Sequence, residues 1–190
     1  MRIAISSLSG CGNSTVSRIV AKKLKLEFIN YTFRNLARDT NVPFETIQSE
    51  SLKNPKYDYE VDRRQIKLIQ DHAHCVVGSR LAVWLDDEKI KEKIRVRAPA
   101  FDFKVWIYAP LKERAARIAR REHAQIPHVL SSTKLRDRQN ELRYRTLYGI
   151  DVDKFSRAVD LTINTERFSA EQVATLITTA AKKVKALKSK

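Results

Sequence analysis

Hydrophobic and polar positions form two kinds of pattern along this chain. Short, nearly continuous apolar runs that are bounded by polar or turn residues predict β-strands. These runs cover residues 1–6, 27–30, 75–78, 103–109 and 159–164. Between the runs, apolar residues recur at every third or fourth position, as in Val16, Ile19, Val20 and Leu24, which predicts amphipathic helices. The predicted helices cover residues 14–25, 33–40, 44–52, 57–74, 111–123, 129–147 and 169–187.

Strands and helices therefore alternate from one end of the chain to the other. This order predicts an α/β fold with a parallel sheet that is covered by helices on both faces. The 190 residues fit a single domain, and an apolar fraction of 43% is enough for a buried core. Residues 82–85 are short and apolar, and residues 88–97 mix charges without a clean period. Pro43 and Pro127 mark breaks between predicted helices.

The chain is strongly basic, with 37 Lys and Arg against 22 Asp and Glu and a net charge of +15. Such an excess favours polyanionic partners, namely nucleotides, nucleic acid or acidic surfaces. A solvated basic surface accounts equally well for most individual lysines. Charge alone therefore favours a polyanionic partner but does not distinguish among nucleotides, nucleic acid and acidic surfaces.

The number of cysteines and the length of the apolar runs indicate the cellular compartment of the protein. Cys11 and Cys75 are too few and too far apart for a disulfide framework or a zinc site. No apolar stretch is long enough to cross a bilayer. Ser6, Ser7 and Ser9 interrupt the apolar run that a signal peptide needs. We therefore predict a cytoplasmic protein with no membrane partner, and the sequence leaves the oligomeric state open.

The residues behind the first predicted strand resemble a phosphate-binding loop, for which the usual pattern is G-x-x-x-x-G-K-[ST]. When the chain is aligned on Gly12, Ser7 stands at the first glycine position and Asn13 at the lysine position, whereas Ser14 and Thr15 keep the hydroxyls. Such a loop directs main-chain N–H groups and a helix N-terminus at an anion. We predict nucleotide binding, rather than a plain turn of small residues, by Ser7, Leu8, Ser9, Gly10, Cys11, Gly12, Asn13, Ser14 and Thr15. Ser14 is predicted to face Mg²⁺, and Thr15 an inner phosphate.

Asn13 is the main departure from the loop pattern. A lysine at this position normally bridges the outer phosphates and stabilises the charge of the transition state. Asparagine can donate a hydrogen bond but carries no charge. Because the loss of one preorganised donor costs about 10²–10³ in rate at other sites, we expect slower phosphoryl transfer.

Arginines outside the loop form the next set of candidates. Arg34 follows the second strand, and Arg80 lies at the carboxyl end of the third, where open α/β sheets bind ligands. Arg63 and Arg64 lie together on a predicted helix. A guanidinium can bind a phosphate through two parallel hydrogen bonds, but an arginine on a helix surface is commoner. We favour Arg80 over Arg63, and either over Arg64.

The stretch from Leu111 to Tyr148 carries ten basic residues against four acidic ones. Arg117 and Arg121 share a helix face at a spacing of four residues. The break at Ile126-Pro127 makes the stretch a candidate lid, whose arginines would close over a phosphoryl group. The alternative is a basic surface that binds RNA or nothing.

Together these motifs resemble the archaeal-type cytidylate kinases, within the P-loop nucleoside monophosphate kinases. The matching segments extend over nearly the whole chain, at residues 9–16, 33–37, 62–65, 80–82, 109–111, 114–122, 148–151 and 160–165. The resemblance implies a three-layer P-loop NTPase fold around a five-stranded parallel sheet. It also implies one kinase domain over 1–190, with a monophosphate-binding lobe at 33–72, a lid at 120–145 and a basic tail at 182–190.

The resemblance further implies an activity, transfer of the ATP γ-phosphoryl group to CMP, dCMP or a related nucleotide with Mg²⁺. It places Arg34, Arg63 and Arg80 at the monophosphate, and it places Arg117, Arg121, Arg136 and Arg138 around the transferring phosphates. The family often has Glu-Gly-Arg where this chain has Gly78-Ser79-Arg80. The loss of that acid and of the loop lysine is expected to affect rate more than binding.

Two alternatives stay open from the sequence: a nucleotide-binding protein that has lost transfer, and a nucleic-acid-binding module. The residues do not fix the base either. Ser49, Asp58 and Asp62 lie in the implied lobe, but they are equally ordinary residues for a helix surface.

Overall fold

A computed structural model describes residues 1–188 of the chain. Its five strands form one parallel sheet in the order β2-β3-β1-β4-β5. The strands are β1 (Arg2–Ser6), β2 (Glu27–Ile29), β3 (Cys75–Gly78), β4 (Phe103–Tyr108) and β5 (Leu161–Asn164). This confirms the predicted α/β fold, although β5 begins at residue 161 rather than 159.

The helices lie close to their predicted positions. They are α1 (Asn13–Leu24), α2 (Phe33–Thr40), α3 (Phe44–Ser51), α4 (Lys56–Asp71), α5 (Glu88–Ile94), α6 (Leu111–Glu122), α7 (Ile126–Tyr148) and α8 (Ala170–Lys188). The irregular stretch after residue 88 is helical because the Asp87 side chain accepts from the Lys89 N–H and caps α5. The predicted break at Ile126-Pro127 is wrong, because α7 begins at Ile126 and the break lies at residues 123–125. Pro127 fits the first turn of α7, where its missing N–H has no helical partner to lose.

Each face of the sheet has its own core. Ile3 and Ile5 of β1 pack with α1 and α8 on one face. Ala4, which points the other way, packs with α4, α5 and the end of α7. This alternation gives the three layers that a doubly covered parallel sheet requires.

Two smaller clusters lie beside the main cores. Tyr31, Leu36 and Ile47 hold α2 and α3 against α4. Ala115, Ile118, Ala119 and Val129 join α6 to α7 as a hairpin. The region predicted as the monophosphate-binding lobe therefore has apolar contacts of its own, whereas the region predicted as the lid is packed through Val129 against the part of α6 that precedes it.

The end of the chain continues α8 through Lys188, and the remaining residues of the predicted basic tail, 189 and 190, lie outside the described residues. Among residues 1–188, none of the helices combines the length and the apolar character that a bilayer crossing needs.

Candidate active site

One cleft, with a volume of about 630 Å³, lies at the carboxyl edge of the sheet. The loop after β1, the ends of β2 and β3, α4, α6 and α7 all contribute residues to it. Open parallel sheets bind ligands at this edge because the strand-to-helix loops meet there. The residues that the sequence singled out can therefore be sorted by whether they line this cleft.

The loop between β1 and α1 has the backbone of an anion-binding turn. Gly10 and Gly12 take positive φ angles of 83° and 89°, and Gly12 is the N-cap of α1. A Cβ atom at Gly10 would lie 2.9 Å from both the Cβ and the main-chain oxygen of Arg114, so the close packing also requires glycine. The N-terminus of α1 therefore opens into the cleft, as phosphate binding needs.

Asn13 uses its side chain to join three elements. Its Nδ2 donates to the main-chain oxygen of Ile5 at 3.0 Å and to that of Ser79 at 3.4 Å. Its Oδ1 accepts from Ser17 Oγ at 3.0 Å. The amide thus fastens the start of α1 to the ends of β1 and β3, and this role was not visible in the sequence.

All the predicted loop residues except one line the cleft. Ser7, Leu8, Ser9, Gly10, Gly12, Asn13, Ser14 and Thr15 line the cleft. Cys11 does not, because its side chain is buried in the core between the sheet, α1 and α8. Burial raises the pKa of the Cys11 thiol. Cys11 can therefore offer a nucleotide only its main chain.

Three predicted arginines line the cleft. Arg80 Nη2 donates to Ser9 Oγ of the phosphate loop at 2.7 Å. Arg117 is fixed by Thr165, whose main-chain oxygen accepts from Nη2 at 2.7 Å, and by an ion pair with Glu113. Arg121 is exposed and pairs only with its neighbour Glu122 among residues 1–188. Three guanidinium groups thus line the cleft that contains the loop, and two of them pair with a neighbouring glutamate of α6.

Four other predicted arginines do not line the cleft. Arg34 lies over the Phe44 ring, with its guanidinium carbon 4.3 Å from the ring centre. Arg63 pairs with Glu60 on the surface of α4. Arg136 and Arg138 are exposed on α7.

Several residues that line the cleft were not identified from the sequence. Arg143 of α7 forms an ion pair with Asp58 of α4 and donates to the Ser51 main-chain oxygen at 3.0 Å, so it bridges hairpin and lobe. In the sequence, Arg143 could not be distinguished from the other basic residues between Leu111 and Tyr148. Gln65 is buried and accepts from the Tyr31 N–H through Oε1.

Behind the cleft, buried Arg114 supports the phosphate loop. Its guanidinium donates to the main-chain oxygen of Ser9 at 2.9 Å and to Asp137 of α7 at 2.6 Å. Because Asp137 belongs to the hairpin, the same guanidinium joins the loop to the candidate lid. Nothing in the sequence separated Arg114 from its neighbours on α6.

Asp62 is the most unusual titratable group of the cleft. Its Oδ2 accepts from Tyr148 Oη at 2.5 Å. Burial raises the pKa of Asp62 to about 7, because a carboxylate is poorly solvated there and Asp58 lies nearby. Of the three residues considered for the base, Asp58 and Asp62 line the cleft, whereas Ser49 does not.

Comparison with known proteins assigns the family. A sequence model described as the cytidylate kinase-like family matches residues 2–167. The chain belongs to this family. A cytidylate kinase 2 of Borrelia garinii subsp. bavariensis is 39% identical over 180 residues, which cover 93% of this chain and 94% of the relative. A cytidylate kinase of Pyrococcus horikoshii is 34% identical and covers 94% of this chain and 86% of the relative.

The resemblance to cytidylate kinases that the motifs indicated is therefore confirmed, and so is the kinase class of this family member. The fold is also found among solved P-loop kinases. Shikimate kinase from Acinetobacter baumannii superposes with a TM-score of 0.62 at 18% identity, covering 96% of this chain and 93% of that chain. At this identity the likeness concerns the fold alone.

Proposed function

We propose that this chain transfers the γ-phosphoryl group of ATP to CMP, dCMP or a related nucleoside monophosphate. The observation that carries the proposal is the continuous cleft, which has the phosphate loop at one end, the α2–α4 lobe at the other and Arg80 between them. Two anionic substrates can meet in such a cleft. The names of the family relatives support the cytidine nucleotide as acceptor.

Positioning and charge neutralisation are the tasks of this site. The attacking oxygen of a monophosphate is already anionic, so no strong general base is needed. The loop amides and the N-terminus of α1 hold the phosphates of ATP. Arg80, Arg117 and Arg121 neutralise the charge that spreads over the transferring group.

Ser14 is the residue that would hold Mg²⁺. Its hydroxyl is exposed in the cleft on the first turn of α1, and hydroxyl and phosphate oxygens are the hard ligands that Mg²⁺ accepts. The carboxylates that line the cleft, Asp58 and Asp62, are bonded to Arg143 and Tyr148. We therefore assign most of the Mg²⁺ ligands to phosphate oxygens of ATP and to water. When bound, Mg²⁺ supplies positive charge at the outer phosphates.

The remaining predicted arginines are proposed to act after a movement. Arg136 and Arg138 belong to the α6–α7 hairpin, and Arg34 and Arg63 to the lobe. Closure of both parts over bound nucleotides would bring these side chains toward the cleft and exclude water. The lobe at 33–72 and the lid at 120–145 are proposed on the same basis.

The test is turnover of purified protein with Mg-ATP and a panel of nucleoside monophosphates. We expect CMP or dCMP to be the best acceptor, and Arg121→Ala to lower kcat by about 10²–10³. Arg120→Ala is the matched control, since Arg120 is exposed on the same helix outside the cleft. Turnover of every monophosphate no faster than that of Arg121→Ala would refute the proposal.

A second candidate is a nucleotide-binding protein without transfer. The bonds of Asn13 to Ile5, Ser79 and Ser17 support it, because they commit the residue at the lysine position to the protein itself. Binding of ATP with no turnover would favour this candidate. Nucleic-acid binding by the exposed arginines of α7 stays a further prediction, and such binding should weaken steeply as salt rises.

A further inference from the structure

Arg114 of α6 holds the phosphate loop from the side that faces away from the cleft. Its Nη1 donates to the main-chain oxygen of Ser9 at 2.9 Å, and its Nε donates to that of Ala109 at 3.1 Å. Arg114 is buried outside the cleft, whereas Ser9 and Gly10 line it. The Ser9 carbonyl therefore points away from the cleft, toward α6.

This contact sets the direction of the Gly10 N–H. The described residues contain no cis peptide bond, so the Ser9 carbonyl and the Gly10 N–H point in opposite directions across their shared peptide plane. With the carbonyl turned toward Arg114, the N–H is turned toward the cleft. Among residues 1–188, no group accepts a hydrogen bond from this N–H. A loop N–H that faces a cleft in this way is suited to bind a phosphate oxygen.

The peptide between Cys11 and Gly12 has a weaker support. The Cys11 main-chain oxygen lies 3.4 Å from Thr165 Oγ1, and the same hydroxyl lies 3.2 Å from the Tyr108 main-chain oxygen. A hydroxyl has a single proton to donate, so the two oxygens compete for it. The bond from Arg114 is shorter and its donor is charged, so Arg114 is the stronger support of the loop.

Asp137 of α7 holds the Arg114 guanidinium in this orientation. Its Oδ2 accepts from Nη1 at 2.6 Å, and the side chains of Arg114 and Asp137 are only 7% and 16% exposed. A charge buried to this extent requires a partner of opposite sign. Within the described part of the chain, Asp137 is the one acid that pairs with Arg114. Its other oxygen, Oδ1, is buried without a donor there, so the Asp137 carboxylate is bonded through Arg114 alone.

We propose that Arg114 and Asp137 are positioning residues for ATP. Arg114 turns the Ser9–Gly10 peptide so that its N–H faces the phosphates, and Asp137 keeps Arg114 in place. The inference rests on the proposed function, which places the phosphates of ATP at this loop. Because Asp137 belongs to the α6–α7 hairpin, the affinity of the loop for phosphate then depends on the position of α7.

The first test measures the Kd values of ATP and CMP for Arg114→Lys by equilibrium dialysis with the full chain. Lysine keeps the charge, but its single ammonium group cannot replace both Nε and Nη1. We expect the Kd for ATP to rise about tenfold, as for the loss of one hydrogen bond to a charged group, and the Kd for CMP to stay unchanged. An unchanged Kd for ATP, or an equal rise for both nucleotides, would overturn the proposal.

Two controls accompany this variant. Arg120→Lys makes the same change at an exposed position of α6. Asp86→Asn weakens another largely buried ion pair, which joins Asp86 to Lys104 at 2.6 Å and lies outside the cleft. We expect neither control to change the Kd for ATP, even where urea unfolding shows that Asp86→Asn lowers stability as much as Arg114→Lys does. A similar rise in Asp86→Asn would reduce the effect of Arg114→Lys to general loosening and overturn the proposal.

The second test asks whether Asp137 acts through Arg114. Asp137→Asn is made in the native chain and in Arg114→Lys, where the removal of its negative charge affects ATP equally. The difference between the two backgrounds therefore reports positioning. We expect Asp137→Asn to weaken ATP binding at least about threefold more in the native chain than in Arg114→Lys. Equal effects in both backgrounds would overturn the role of Asp137.

Asp137→Asn in the native chain also tests the pair if Arg114→Lys does not fold. Raised salt screens the effect of the lost charge on ATP. We expect the Kd for ATP at raised salt to be higher in Asp137→Asn than in the native chain. An equal or lower Kd there would overturn the proposal.

These outcomes separate the inference from the proposed function. Dialysis reports ATP binding whether or not phosphoryl transfer occurs. Absence of turnover, with ATP binding that depends on Arg114 and Asp137, would contradict transfer alone. Turnover by a chain whose affinity for ATP is independent of both residues would contradict the positioning role alone.

Discussion

Asn13 Nδ2 donates a hydrogen bond of 3.0 Å to the main-chain oxygen of Ile5, near the end of the central strand β1. Phosphate loops usually have a lysine at this position, and here its side chain connects α1 to the sheet. The neighbouring packing is tight, since a Cβ at Gly78 would lie 2.6 Å from Ser17 Oγ and 3.0 Å from Asn13 Oδ1. The residue at position 13 is therefore part of a packed junction rather than a free loop side chain.

Asn13→Lys is the first prediction. A lysine side chain has no oxygen that could accept the hydrogen bond from Ser17. If its ammonium group extends to a phosphate, it cannot also donate to the main-chain oxygens of Ile5 and Ser79. We expect the free energy of unfolding to fall by about 1–3 kcal/mol, with no gain in kcat. Urea unfolding and steady-state kinetics measure the two quantities. Gln48→Lys, an added charge at an exposed position of α3, is the control. A tenfold or larger rise in kcat at unchanged stability would show instead that Asn13 impairs transfer.

Arg80→Gln is the second prediction. Because Arg80 contacts Ser9 of the loop and also lines the space next to the lobe, its charge is placed to serve both phosphates. We expect kcat to fall by about 10²–10³, and Arg80→Lys, which keeps the charge but loses the planar fork, to be intermediate. Steady-state kinetics with each substrate varied in turn measures the effect. Arg120→Gln is the matched control. An increase confined to the KM for the monophosphate would restrict Arg80 to the acceptor site.

The fold was largely predictable because its signals are local. Apolar runs such as Ile3–Ile5 need only short-range alternation to be recognised as buried strands, and the helical period identified α1 and α8. The helix after residue 88 was missed because mixed charges hide its period, while a single side chain, Asp87, fixes its start. Local signals also locate the phosphate loop, since its glycines immediately follow β1.

A residue of the site could be predicted only where a sequence motif implied its position in the fold. Arg80 and Arg117 lie in the cleft because they follow β3 and occupy the inner face of α6. The pairing of Arg143 with Asp58 joins residues far apart in sequence, and no periodicity encodes it. For the same reason, the burial of Asp62 against Tyr148 could not be told from an ordinary helix-surface aspartate.

The pH dependence of stability is the third prediction, and it concerns Asp62. The folded protein holds the proton of this carboxyl up to a pKa of about 7, whereas the unfolded chain releases it near the ordinary value of 3.8. Between these values the folded state binds more protons, so stability falls as pH rises from about 4 to about 7 and then levels off.

Asp62→Asn isolates that contribution because it removes the titration while keeping the shape. Asp58, Tyr148 and Arg143 face the carboxyl in both proteins, so their own titration largely cancels in the difference. We expect the variant to gain stability relative to the native chain as pH rises from 5 to 8, by a few kcal/mol at most, since one pKa unit is worth about 1.4 kcal/mol. Urea unfolding at both pH values, with Asp71→Asn as control, measures the difference. A stability difference that does not change with pH would mean that the Asp62 carboxyl has the same proton affinity in the folded and unfolded chain, despite its burial.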